Sequence, residues 1–538
     1  MAIKRYGANI DATITNAFKA DLTTRGTGAN MGAADVLEVF SILGQASGSS
    51  AGLSSELTRT LIRFPVDQIQ TDRSASTIPR SGSVSFYLKM SNAPHTQTVP
   101  KKMYLMAHAI TRSWTEGTGL DMEEYTDLTY GKEGVTWTYG GLTGSWAHKG
   151  GDFVEIGDGG VLNKNMYKIY FEDGTEDIEA DITPLVEMWA QDGGNVLGAL
   201  DNYGLILKLT GTQEAYNASY SDYAVPNETG SLDSYYTKKF FSRSSEFFFR
   251  RPVIEARWDS SNRDDRGNFY YSSSLAPAED NLNTLYLYNY VRGQLRDIPE
   301  IGSTGSIMVS LYSGNVDDTA PSGSALELSI GGGVSKAAET HATGGWYNTG
   351  IYTCSVAITA AATPLSTLYD VWSTGSHHVA PHHVHHMRTR LHTGSITPKS
   401  LDSSNINPNT QYALSITNLR SIYNRRETAR FRLYVRERNW NPTIYTRATA
   451  DVVAEPIESA SYMVYRVADD LEVIPYNTGS DLATSLSFDV SGNYFDIDMS
   501  MLETDYAYGI KFSLYNGSIG SWVEQPDMFK FRVEEQQV

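Results

Sequence analysis

In a chain of 538 residues the best helix candidate is one short stretch, and that scarcity constrains the fold more than any other feature. Within residues 177–210, Thr183 is placed to cap a helix and Pro184 to open it. Leu185, Val186 and Trp189 give the helix an apolar side before Gly193 and Gly194 stop it. On either side, Ile178, Ala180 and Ile182, then Leu205, Leu207 and Leu209, alternate as half-buried strands do. The stretch therefore reads as strand, helix, Gly-rich turn, strand, with the helix plugging the end of a sheet sandwich. Nothing in it has the pattern of a catalytic centre.

The remainder must then be built from strands, and residue usage agrees. Tyr occurs 34 times and Gly 46 times, with Ser and Thr throughout, as in sandwiches whose strands keep one wet face. The expected fold class is all-β, a tandem of β-sandwiches: a jelly-roll-like first domain, then two immunoglobulin- or fibronectin-like ones. The single cysteine, Cys354, excludes an internal disulfide, so synthesis in a reducing cytoplasm is expected. With no secretory leader and no run of about 18 apolar residues, the chain is expected to be soluble and free of membrane. A formal charge of −19 argues against a nucleic-acid partner, because phosphate contacts need clustered Lys and Arg.

Four segments follow from the order of apolar runs and turns. Residues 1–240 hold the strands around Val36, Leu37 and Val39 and those at 57–66, 82–90 and 102–110, separated by polar loops such as 45–55. Residues 241–283 are too aromatic and Arg-rich for a flexible linker; they read as an ordered strap with Phe247, Phe249 and Trp258 buried. Residues 284–396 suit an immunoglobulin-like sandwich, with runs such as LYLYNYV, SIMVSLYSG and ALELSIGGGV. Residues 397–538 suit a last immunoglobulin- or fibronectin-like sandwich, in which Leu502, six residues before Tyr508, matches a tyrosine-corner strand.

In the first segment the succession ATITNAF, DVLEVF, RTLIRFPV, SVSFYLKM, ITRSWTEGT, GVTWTYGG, DIEADITPLVEMW and NYGLILKL resembles the DNRLRE-type β-sandwich module, over about residues 11–214. Loops 121–133 and 152–168 depart from that pattern. Across nearly the whole chain, phrases such as YYTKKFF, SSEFFFRRPVIEARWD, DDRGNFYYSSSLAP and VSGNYFDIDMSMLE resemble structural proteins of tailed bacteriophages, marine ones in particular. The resemblance implies a virion protein made in the host cytoplasm, without enzymatic activity or cofactor. It would sit at the neck, tail or baseplate or decorate the head, contacting other virion proteins and copies of itself under particle symmetry. The alternative is a fibre or receptor-binding component that recognises host glycans.

Several local patterns are candidate sites. GSSAG at 48–52 fits a nucleophile elbow in letters only, since it lies in a Ser/Gly loop between strands. His377, His378, His382, His383, His385 and His386 have spacing compatible with a metal, yet no Cys or carboxylate stands among them, and a solvated loop is the expected state. On the run 428–438, Phe431, Leu433 and Val435 face one way and Arg430, Arg432, Arg436 and Arg438 the other. This positive stripe is either an interface for an acidic neighbour or paired with acids of its own chain, such as Glu427 and Glu437. The acid pairs Glu123–Glu124, Asp264–Asp265 and Asp469–Asp470 read as solvated loop residues rather than glycosidase carboxylates. Trp114, Trp137, Tyr139 and Trp146 form a candidate sugar platform, with core packing as the plainer reading.

Overall fold

A computed structural model describes residues 2–19, 21–47, 53–96, 99–120, 133–191, 198–217, 225–273, 275, 277–329, 339–359, 365–374, 389–399, 410–439, 444 and 455–535. The protein is all-β, a series of sandwiches, and two α-helices have described bounds: α1, Val66–Ser74, and α2, Thr183–Ala190. The chain forms two compact units, Ala2–Trp258 and Asp259–Val538.

The first unit contains β1 (Ile3–Gly7), β2 (Ile10–Thr15), β3 (Val36–Ser47), β4 (Leu53–Arg63), β5 (Ser85–Met90), β6 (Met103–Ala109), β7 (Met166–Phe171), β8 (Ile178–Asp181), β9 (Leu205–Leu209), β10 (Tyr235–Phe241) and β11 (Val253–Arg257). They make a small sheet ordered β1-β11-β5-β8 and a large one ordered β10-β3-β4-β9-β6-β7, with β2 alongside β4. Alternation along β5 points Phe86, Leu88 and Met90 into the core, where Ile62, Leu105, Ala107 and Leu207 of the large sheet meet them. The opposite face of the large sheet is also covered. Ala12, Ile14, Leu57, Leu61 and Ile206 pack there against Ile110, Trp114, Val135, Trp137 and Trp146. Two covered faces explain why all five residues of β9 are buried, where alternation predicts a half-buried strand.

Helix α2 plugs the core as expected, through Leu185, Val186 and Trp189. Thr183, however, is inside the helix rather than capping it. Its hydroxyl accepts from Phe86 N at 2.8 Å and donates to Asp181 Oδ1 at 2.6 Å, so it pins the helix start to β5 and β8. The helix ends at Gln191 in the left-handed region, and Gly193 and Gly194 lie outside the described residues.

The first unit runs past residue 240. β11, from the expected strap, is an interior strand of the small sheet, and buried Trp258 donates from its backbone N to Ala2 O at 3.0 Å. Phe249 is half-buried, and Phe247, expected inside, is exposed where it leads into the short 3-10 turn Phe248–Arg250.

The second unit opens with a module of β12 (Asn283–Tyr288), β13 (Tyr290–Val291), β14 (Gln294–Leu295), β15 (Ile307–Gly314), β16 (Pro321–Ser322), β17 (Ala342–Asn348), β18 (Ile351–Val356), β19 (Leu368–Thr374) and β20 (Arg390–Ile396). The main order is β12-β18-β17-β15-β19-β20. β17 changes partner in its middle: Ala342 to Gly344 pair with β15, and Gly345 onward pairs with β18. Gly344 permits the crossing, since a Cβ there would lie 2.2 Å from Thr353 O. The core gathers Leu285, Val309, Leu311, Tyr352, Cys354 and Trp372, and Phe269 joins it from the expected strap.

The last module contains β21 (Tyr412–Ile416), β22 (Ile422–Asn424), β23 (Thr428–Glu437), β24 (Ala460–Arg466), β25 (Leu471–Ile474), β26 (Ser487–Asp489), β27 (Gly492–Asp498), β28 (Ala507–Asn516), β29 (Ser521–Glu524) and β30 (Phe529–Glu534). Its sheets are ordered β21-β23-β27-β26 and β22-β30-β28-β24-β25. Lettered in chain order, with β22 and β29 as additions, these are the ABED and GFC sheets of an immunoglobulin sandwich with C′ at the edge. Its core is stacked from aromatic rings, Phe431 on Phe495 at 5.2 Å and Tyr462 on Phe495 at 4.5 Å. The tyrosine corner is formed: buried Tyr508 donates its hydroxyl to Glu503 O at 2.7 Å.

Candidate functional site

The arginine stripe lies on β23, whose alternation buries Ala429, Phe431, Leu433 and Val435 and turns Arg430 and Arg432 outward. Register places Asp496 of β27 directly opposite Arg430. The guanidinium grips that carboxylate with two bonds of 2.8 and 2.9 Å. Arg432 reaches Asp489 at 2.7 and 2.8 Å, and both cations lie within 5 Å of the Tyr494 ring centre. Arg420 pairs with Glu427 at 2.8 Å. Arg436 is half-buried and Arg438 is exposed. Much of the stripe's charge is thus neutralised by its own chain, chiefly through Asp489 and Asp496, two acids that the sequence reading did not single out. Next to Arg420, an open groove of ≈ 800 Å³ is lined by Ile422, Tyr423, Glu427, Asp505 and Glu534.

The strap residues beyond Asp259 tie the two modules of the second unit together. Asn262 donates from N to Ser487 Oγ at 3.0 Å, Phe488 N donates back to Asn262 O at 3.0 Å, and Asp264 N donates to Phe488 O at 3.1 Å. On the other side, Arg266 reaches the fully buried Asp370 at 2.7 Å, whose second oxygen accepts from Trp372 Nε1 at 2.6 Å. Gly394 stands opposite Asp370 on β20, and a Cβ there would fall 2.0 Å from the Arg266 guanidinium, so only glycine leaves room for the pair. Asp264 and Asp265 are consequently not the solvated pair expected. Asp264 is buried, Asp265 accepts from Thr284 N at 2.7 Å, and burial pushes each carboxyl up to about 6. Asp469 does behave as a loop acid, paired with Arg466 at 2.6 Å, while Glu123 and Glu124 lie outside the described residues.

In the first unit, Trp114, Trp137 and Trp146 are buried in the cover over the large sheet, and Tyr139 is half-buried. Trp114 donates to Tyr203 O at 2.9 Å and Trp146 to Thr136 O at 3.0 Å. A sugar platform needs an exposed aromatic face, so these indoles do not form one. Beside Trp137, Arg59 reaches Gly150 O at 2.9 Å and Glu214 at 3.2 Å, and Lys208 reaches Glu214 at 3.3 Å. Burial pushes Glu214 up, but Arg59 and Lys208 outweigh it and hold the carboxyl below its usual range. His108, on the neighbouring strand, is lowered to about 4 by burial and by Lys208, which leaves a neutral imidazole bonded to Val154 O at 2.9 Å. Asp11 is raised to about 7, again by burial, beside the Arg243–Glu116 pair.

The chain matches no family model and no curated protein. Its site chemistry therefore rests on geometry. Among the described residues no group of three or more His, Cys, Asp or Glu is arranged to hold a metal. His377, His378, His382, His383, His385 and His386, like the GSSAG loop, lie outside the described residues. Buried ion pairs instead join segments that are distant in sequence: Arg59 to Glu214, Arg73 to Glu187, Arg5 to Glu255 and Arg266 to Asp370. Such arrangements brace a sandwich.

Proposed function

We propose that the chain is a non-enzymatic structural protein of a tailed-phage particle, resident in the virion at the neck, tail or baseplate or on the head. It works through contacts with other virion proteins and with further copies of itself. The observation that carries this reading is the use made of charge. In the first unit buried ion pairs tie together segments distant in sequence, Arg59 to Glu214 and Arg73 to Glu187, and in the second a strap with its own buried Arg266–Asp370 tie joins two successive modules. A scaffold braced in this way resists deformation between attachment points, which suits a part that transmits load. The phage-like phrases agree with that role, and the net charge of −19 favours protein over nucleic acid as partner.

Quantitative mass spectrometry of gradient-purified particles tests the proposal. The chain is expected in a fixed ratio to the major capsid protein, and the purified protein is expected to release no reducing ends from host polysaccharide. Absence from the particle, or sustained turnover of polysaccharide, overturns the reading.

A further inference from the structure

Lys238 stands out among the basic residues because it is wholly buried and aims at an amide side chain. It lies on β10, between the apolar core and the segment that follows β5. Its Nζ is 2.7 Å from Asn92 Oδ1, 146 positions away in sequence, and also donates to Gly174 O at 3.0 Å and Glu176 O at 2.7 Å. The Phe171 and Phe240 rings flank the nitrogen, with centres at 4.6 and 5.1 Å. Asn92 is held firmly: Nδ2 donates to Ala93 O at 3.0 Å, N donates to Asp177 Oδ1 at 2.7 Å, and His95 Nε2 sits 3.1 Å from Oδ1. Since that oxygen only accepts, the imidazole must donate through Nε2. A carbonyl carbon lies about 1.2 Å behind its oxygen, so Asn92 Cγ is within about 4 Å of the lysine nitrogen. Glu176, whose charge acts on Lys238, keeps a buried Oε2 with no hydrogen-bond partner.

We infer that Lys238 and Asn92 form a side-chain amide cross-link within the first unit. The neutral amine attacks Cγ, and the new N–C bond places negative charge on Oδ1, where His95 Nε2–H stabilises it. Glu176 takes the proton that Nζ sheds and passes it to Nδ2. Collapse of the tetrahedral centre breaks the Cγ–Nδ2 bond and releases one ammonia. Lys amine and Asn carboxamide thereby become a secondary amide plus ammonia, with no oxidant or cofactor needed. The ammonium is the competing state, because three acceptors surround it. Burial works against that state and lowers the lysine to about 8. Roughly a tenth is then neutral at pH 7, enough for a reaction that has the lifetime of the protein in which to occur. The cross-link closes a loop spanning 146 positions that contains β6 to β9, so it restricts the unfolded chain strongly. It goes beyond the proposed virion role and does not depend on it.

Intact-mass measurement of the full-length protein, unfolded after incubation at pH 9, decides the matter. The expected mass is one ammonia below that of the sequence, with a branched proteolytic peptide joining the segments that carry Asn92 and Lys238. Asn92→Ala and Lys238→Met should each restore the linear mass for their sequences, and Glu176→Gln should slow the ammonia loss at least tenfold. The wild-type measurement stands even if a variant fails to fold. An unmodified mass in folded wild-type protein overturns the inference, and so does ammonia loss confined to one linear peptide, which is a succinimide.

Discussion

Removing Glu187 should be among the most damaging single changes in the first unit, although no functional pattern in the sequence marks it. The side chains of Glu187 on α2 and Arg73 on α1 are each 5% exposed and joined by two bonds of 2.9 and 2.5 Å. Glu187→Ala leaves a guanidinium in the interior, and breaking one side of such a pair costs about 3 to 5 kcal/mol. Replacing both partners, as Arg73→Met with Glu187→Leu, removes both charges and fills the space, so the double variant should lie within about 1 kcal/mol of the parent or above it. Hydrogen exchange of the full-length protein reads the effect locally. Amides of α1 and α2 that exchange through opening of this unit should speed up roughly a hundredfold or more in the single variant and return near parental rates in the double. Equal damage in both variants, or a single-variant cost below about 1 kcal/mol, would refute the reasoning that a buried guanidinium deprived of its carboxylate, rather than lost packing, sets the penalty.

Other consequences are as direct. Asp264 and Asp265 have folded values raised to about 6, so between about 4 and 6 the folded chain binds more protons than the unfolded one, and their contribution to stability falls as pH rises through that window. Asp264→Asn should therefore flatten the melting temperature of the second unit between pH 4 and 7, and an unchanged slope would count against the buried-acid reading. Tyr508→Phe should cost about 0.5 to 1.5 kcal/mol in thermal unfolding through the lost bond to Glu503 O, and a neutral effect would mean the corner is dispensable. Arg430→Glu should destabilise the last module by about 1 kcal/mol, because it sets a carboxylate against Asp496; a fold left unaffected would return the stripe to candidacy as an intermolecular surface.

Sequence periodicity exposed the elements that bury apolar side chains in a regular rhythm. β3 to β6, α2 and β23 are of that kind, and the tyrosine corner is visible as spacing alone. The parts that escaped are held together by charge or covered from two sides. α1 buries Val66, Ile69 and Arg73, so an arginine interrupts its apolar inner face. β11 carries Glu255 and Arg257 into an interior position, where Arg5 and Lys89 also meet the carboxylate; polar letters there resemble a linker and conceal the true end of the first unit. The acids that pair with Arg430 and Arg432 lie 66 and 57 positions away, beyond any local pattern. Trp114, Trp137 and Trp146 are ambiguous by nature, because an indole serves core and sugar platform alike, and only the cover over the large sheet distinguishes them.

The central claim, that this chain is a braced β-sandwich component of a phage particle, is tested most directly by cryo-electron microscopy of the intact virion. Density for the two compact units, repeated under the local symmetry of the neck, tail, baseplate or head surface and bonded to neighbouring proteins, is the expected result. A fully assigned particle with no density for the chain would contradict it.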